Sequence, residues 1–197
     1  MWLDYRKRVP NYDTSSIRLL DKPDPQQVSR HMIKEDFFVY DSTIVNQTEK
    51  QLIDRITERV SELKEAYEHV YLIRMDENMH RESVKSDALK LYQFGGKVRE
   101  RRFEAFQPDF ILLLENSDHY LQIFIEPKGI NLLEKEQWKE DLLMYINNHQ
   151  ADLIFENQVD GLAIKGLRFY TMNDGRLTMK HLSEMALGET FKSLTFE

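Results

Sequence analysis

The chain has 197 residues, of which 41% are hydrophobic, 31% charged and 11% aromatic, with only 7 Gly and 5 Pro. That describes one folded domain with a sizeable core, and excludes a repeat array or a disordered chain. There is no cysteine, which excludes a disulfide scaffold, a thiolate zinc site and a cysteine nucleophile and suits a reducing, cytoplasmic location; the net charge of −7 leaves room for nucleic acid only at a local basic patch.

Residues 1–40 open with MWLDYRKRVP, which lacks the apolar stretch of a secretory signal, and no later run is long enough to span a membrane. The turn-rich KPDPQQ around Pro23 and Pro25 reads as a loosely packed lead-in, with one short strand expected at Phe37 to Tyr40. Residues 41–197 are expected to form the domain proper. In NQTEKQLIDRITERVSELKEAYEHV, Leu52, Ile56, Val60 and Leu63 recur at helical spacing, with Lys50, Asp54, Glu58 and Arg59 between them. This predicts one amphipathic helix, capped by Asn46 or Thr48.

VYLIRM at Val70 to Met75 and LKLYQF at Leu89 to Phe94 suit strands. PDFILLLENSDHYLQIFIEPKG predicts a hairpin of two apolar strands, Asp109 to Glu115 and Tyr120 to Glu126, around the polar tip Asn116, Ser117, Asp118. EKEQWKEDLLMYINNH places Trp138, Leu142, Tyr145 and Ile146 on one helical face, and LRFYTM at Leu167 to Met172 predicts a last strand before the turn Asn173, Asp174, Gly175. An α/β architecture follows, with a central mixed sheet and helices on its faces.

The chemistry concentrates at Pro108, Asp109 and Glu126, Pro127, Lys128. Residues two apart on a strand share a face, so Glu126 and Lys128 project together, and hairpin pairing can bring Asp109 beside them. Two adjacent carboxylates repel and attract a hard divalent cation. Mg²⁺ held there suits phosphodiester hydrolysis, with the Lys128 charge stabilising negative charge at phosphorus. A strand-end salt bridge is the plain alternative. Pro23-Asp24 sits in a turn-rich segment, and Glu62-Leu63-Lys64 lies on a helix where positions two apart diverge; only 108–128 offers a strand context, with carboxylates at the end of an apolar strand that a proline interrupts.

This pattern resembles the PD-(D/E)XK nuclease superfamily, whose restriction-endonuclease-like core is a mixed sheet flanked by helices. More narrowly, LYQF, FQPDFILLL, YLQIFIEPKG and the helix bearing Trp138, over about residues 40 to 175, resemble the C-terminal endonuclease domain of the Res subunit of type III restriction-modification enzymes. The resemblance implies Asp109 and Glu126 as metal ligands for Mg²⁺ or Mn²⁺, Lys128 as the catalytic lysine, and Glu49 as a helix carboxylate supporting the metal. Gln137 or Lys139 would contact phosphate from the later helix. It further implies double-stranded DNA as substrate, an ATP-dependent helicase or translocase region and a methyltransferase (Mod) subunit as partners. No G-x-x-x-x-G-K-[ST] loop occurs in these residues, so ATP would act only through a motor region outside them.

Lys97, Arg99, Arg101 and Arg102 precede the site strand and could contact phosphates, although Glu100 and Glu104 dilute the patch. His31, His69, His80, His119, His149 and His181 form no H-x-x-x-H or H-x-H pair, which argues against a zinc hydrolase. The function expected is a Mg²⁺-dependent endodeoxyribonuclease domain of a type III-like restriction system. The alternative is a non-catalytic docking module of nuclease-like fold that binds the motor or the methyltransferase, which the acidic net charge favours.

Overall fold

A computed structural model describes residues 29–39, 42–75, 91–92, 105–117, 119–149 and 162–188. The central sheet has four strands in the order β3-β6-β7-β8. These are β3 (His69–Arg74), β6 (Phe110–Glu115), β7 (Tyr120–Ile125) and β8 (Leu162–Gly166). The first three are antiparallel neighbours and β8 runs parallel to β7, so the sheet is mixed. Two short pairs stand apart, β1 (Ser29–Met32) with β2 (Ser42–Val45), and β4 (Leu91–Tyr92) with β5 (Ala105–Phe106).

Alternation sorts the central strands into two apolar faces. Phe110, Leu112 and Leu114 join Leu121, Ile123 and Ile125 on one face, where they meet Leu52, Ile53 and Ile56 of α1 (Gln47–Thr57), Leu63 of α2 (Val60–Ala66), and Met179, Leu182 and Ala186 of α4 (Gly175–Leu187). Ile111, Leu113 and Phe124 face the other way onto Leu142, Leu143 and Ile146 of α3 (Leu133–Asn148). Because β6 is covered on both sides, its sequence FILLL is apolar throughout instead of alternating. The result is an α/β fold with helices on both faces.

Several expectations are corrected. The predicted single helix is two, broken at Glu58 and Arg59: Thr57 Oγ1 donates back to the Ile53 carbonyl at 2.8 Å, and Arg59 N–H reaches Ile56 O, a three-residue step that tightens the turn. The predicted strand at 167–172 lies earlier, at Leu162–Gly166. Beyond Gly166 the chain still follows β7, but Phe124 faces Gly166 while Pro127 faces Tyr170, so one extra residue bulges out between them. Glu140 of α3 accepts from the freed Phe169 N–H at 3.1 Å. Tyr145, assigned to the helix's core face, is 48% exposed and stacks on His149, with Leu143 taking the buried position. Residues 33–39 are not loose: Ile33, Phe37, Phe38 and Val39 are core residues, and Phe38 bridges to Leu72 at the edge of β3. Tyr40 and residues 1–28 lie outside the described residues, as do Leu89, Lys90 and 93–104.

α3 approaches β8 as closely as glycine allows. A Cβ on Gly166 would lie 2.3 Å from the Leu143 carbonyl oxygen, and Asn147 fastens the contact by donating to Gly166 O at 2.8 Å and accepting from Gly166 N–H at 2.9 Å. Gly166→Ala is therefore expected to cost about 3 kcal/mol through overpacking against backbone, a fall of about 10 °C in Tm for a chain of this size. An unchanged melting curve for this variant would contradict the close approach.

Candidate active site

The hairpin register brings the two halves of the motif together. Phe110 pairs with Ile125, so Asp109 and Glu126 are the next residues outward on neighbouring strands. By alternation both share the face of Ile111, Leu113 and Phe124. The contact is direct: Asp109 N–H donates to Glu126 Oε2 at 2.8 Å, while Asp109 O accepts from Met75 N–H at 2.7 Å. Past Ile125 the chain stays extended because Tyr170 grips it on both sides of Pro127, donating from its N–H to Glu126 O at 3.0 Å and accepting from Lys128 N–H at 2.8 Å. Pro127 has no N–H to leave unpaired there, and Glu126 and Lys128 are held on one face. Tyr170 is itself fully buried, its hydroxyl donating to Gln51 Oε1 of α1 at 2.9 Å.

Glu126 is 2% exposed, and a carboxylate so buried requires partners. Lys128 Nζ lies 2.7 Å from its Oε1, and Lys139 Nζ approaches the same oxygen at 3.9 Å. Both lysines also meet Oε2 of Glu136, at 2.6 and 2.7 Å. Glu126, Lys128, Glu136 and Lys139 thus form a closed ring of alternating charge at the N-terminal end of α3.

Glu49 and Arg74 approach from the other face. Asn46 caps α1, accepting from Glu49 N–H at 3.0 Å, while Glu49 Oε2 accepts from Asn46 N–H at 2.7 Å, the reciprocal capping box. This selects Asn46 over Thr48. The other oxygen, Oε1, meets Arg74 Nη2 at 3.3 Å. Glu49 is 7% exposed, and it lies near enough to Asp109 to repel it.

The electrostatics separate these groups into two sets. Burial, followed by repulsion from Glu126 and Glu49, pushes the Asp109 carboxyl up to about 7, against the pull of Lys128 and Arg74. Burial also raises Glu126, with Lys128 opposing. Burial pulls the Lys128 ammonium down, but Glu126 and Glu136 outweigh it and hold the amine above the ordinary lysine range. Lys128 is therefore a fixed positive charge at neutral pH and not a base. Glu136, by contrast, is lowered, because the bonds from Lys128 and Lys139 exceed its burial. The ring pairs two acids with two lysines, and the acids outside it are Asp109 and Glu49, where Arg74 is the nearby cation. The Nε of Arg74 is buried without a partner.

Among the described residues no three acidic or histidine side chains form a group able to hold a metal ion. The donor set that remains for a cation is the pair Asp109 and Glu126. A pair fits Mg²⁺, which keeps several waters and takes one or two carboxylates. Glu49, like Glu126, has both oxygens engaged, so either acid takes a cation only by sharing or releasing one of those bonds, and Glu49 stands beside Asp109.

The structure brings together Asp109, Glu126, Lys128, Glu49 and Lys139. Gln137 does not converge: it is exposed and donates to Glu140 and Asp141 on its own helix. Lys97, Arg99, Arg101 and Arg102 lie outside the described residues. Glu136 and Arg74 escaped the sequence reading. Arg74 carried the signal that exposed Glu126, a charge ending an apolar strand; Glu136 carried a weaker one, its three-residue spacing from Lys139.

Residues 11–190 match the model of the HI_1054_C family, described as a C-terminal domain, and the chain belongs to that family. It is 34% identical over 153 residues to an uncharacterized protein of Haemophilus influenzae, the match covering 72% of this chain and 29% of that protein. The chain thus spans under a third of the relative's length. No solved structure matches it significantly. Among the described residues no helix is long and apolar enough to cross a membrane.

Proposed function

We propose that this member of the HI_1054_C family is a Mg²⁺-dependent DNA-cleaving domain with a restriction-endonuclease-like core, working in a type III-like restriction system. One observation carries this reading: Asp109, Glu126 and Lys128 meet on one face at the ends of adjacent strands, as hydrolysis of a phosphodiester requires. Asp109 and Glu126 would hold the cation, with Mn²⁺ as a substitute. When bound, it supplies Lewis acidity at a phosphoryl oxygen and acidifies a water.

The chain's own residues do the remaining work. Lys128, held charged by Glu126 and Glu136, faces the developing negative charge on phosphorus. Glu126 is fixed by the Asp109 N–H and by the Tyr170 clamp, so it does not have to reorganise. Glu49 adds negative charge that favours a cation over a proton at Asp109. DNA delivery and ATP hydrolysis fall to a helicase or translocase region, and site recognition to a methyltransferase subunit, all outside this chain.

A carboxyl that titrates near neutrality makes cation binding depend on pH, since the ligand must be deprotonated. Mg²⁺ is expected to bind more tightly at pH 8 than at pH 6, releasing protons as it does, in calorimetry repeated in two buffers of different ionisation enthalpy. Binding that is absent at both pH values would sink the metal-nuclease reading and leave the docking module. The isolated chain, net negative, is expected to bind duplex DNA weakly and with strong salt dependence.

A further inference from the structure

We infer that Glu136 is an internal stand-in for the substrate's phosphate: its carboxylate occupies the place between the Lys128 and Lys139 ammoniums that a phosphodiester oxygen takes when nucleic acid enters. This rests on the proposed nuclease reading and adds to it a resting state and a displaced group.

Both lysines converge on the same atom, Glu136 Oε2, at 2.6 and 2.7 Å. One compact negative oxygen between two point cations is the arrangement a non-bridging phosphate oxygen would require. The two acids that grip these lysines are not equivalent. Glu126 is 2% exposed and bonded to the Asp109 N–H, so it cannot leave without stranding a buried charge. Glu136 stands near the start of α3 with its side chain 21% exposed, and its bonds run to those two lysines. It can swing into water at the cost of two charge-assisted bonds, which an incoming phosphate would replace.

The lysines stay in place when it does. Lys128 keeps Glu126, and the Lys139 ammonium lies 5.4 Å from the Phe106 ring centroid and 5.9 Å from that of Trp138, a pair of aromatic contacts that favours a cation there. Charge points the same way. With Glu136 inside, two acids face two lysines and the ring repels no cation and attracts no anion. With it outside, one positive charge is free for the phosphate.

The test uses the complete chain without divalent cation, titrated with inorganic phosphate and separately with a short DNA duplex over a range of salt. Glu136→Gln is expected to bind both anions about tenfold more tightly, the gain from removing a charge-assisted competitor, and to steepen the DNA salt dependence by about one counterion. Adding Lys139→Met is expected to cancel the gain. Tightened phosphate binding with unchanged DNA binding would support the latch and count against DNA as the substrate. If a folded Glu136→Gln variant, and Glu136→Ala beside it, bind phosphate no more tightly than the parent, the stand-in is refuted, whatever Lys128 variants do to cleavage.

Discussion

In the full-length protein, Lys128→Gln is expected to lower cleavage of duplex DNA by about 10²-fold or more, the usual consequence of removing a charge placed for the transition state. Gln is the more informative replacement because Glu126 is buried and 2.7 Å from Lys128 Nζ. Truncation to Ala leaves that carboxylate to Lys139, 3.9 Å away, whereas a Gln amide still donates to it. Lys128→Ala is therefore expected to lose cleavage as well as about 1–3 kcal/mol of stability, and Lys128→Gln to lose cleavage with a smaller change in melting. Circular dichroism and partner pull-down on the same samples separate this from a docking role. Normal cleavage by a folded, fully assembled Lys128→Gln protein would end the nuclease assignment; lost assembly with cleavage lost only as a consequence would install the docking module instead.

Asp109→Asn is expected to move stability and activity in opposite directions. The Asp109 carboxyl has its ordinary value of 3.8 in the unfolded chain and about 7 in the fold. Between those values the folded chain keeps a proton that the unfolded chain has lost, so this group lowers stability as pH rises from about 4 to about 7 and has no further effect above that. Asn carries no charge to bury. The variant should lack that part of the pH dependence and exceed the parent by up to about 4 kcal/mol at pH 8, about three pKa units at about 1.4 kcal/mol each. The same change removes one of two cation ligands, so Mg²⁺ affinity and cleavage should both be lost. Urea denaturation at pH 5 and pH 8 reads the first effect. Equal stabilities of the two proteins at pH 8 would show that Asp109 is not under electrostatic stress.

The legible part of the site was the part written on one hairpin. Two short apolar runs, FILLL and YLQIFI, with a short polar tip between them, predict the hairpin whose register places Asp109 next to Glu126. The helix carboxylate Glu49 was named through the resemblance alone, and the capping box with Asn46 explains its position as fully as the site does. What could not be read depended on pairs distant in sequence. Tyr170 clamps Pro127 only because a bulge shifts the chain after Gly166 by one residue, and no local pattern announces a bulge. The closing helix α4 was missed because Gly175 reads as a turn; there it lies against the Tyr170 hydroxyl, where an added Cβ would come within 2.8 Å. Met179, Leu182 and Ala186 nevertheless recur at helical spacing. Lys139 was singled out through the resemblance and Glu136 was not, because the bond of Glu136 to Lys128 needs α3 laid across the sheet.

The Tyr170 clamp also bears on the order in which the chain can assemble. The β6–β7 hairpin closes over a short connection, so Asp109, Glu126 and Lys128 can meet soon after they leave the ribosome. The grip on Pro127 closes a loop of some forty residues, and loop closure of that kind comes late in folding. During synthesis there is an interval in which these three residues can meet but are not held extended, and it ends only when Tyr170 is made and its hydroxyl finds Gln51 on α1. The candidate residues can therefore come together before they are held rigidly, and the grip on them is complete only when sequence-distant parts of the domain dock.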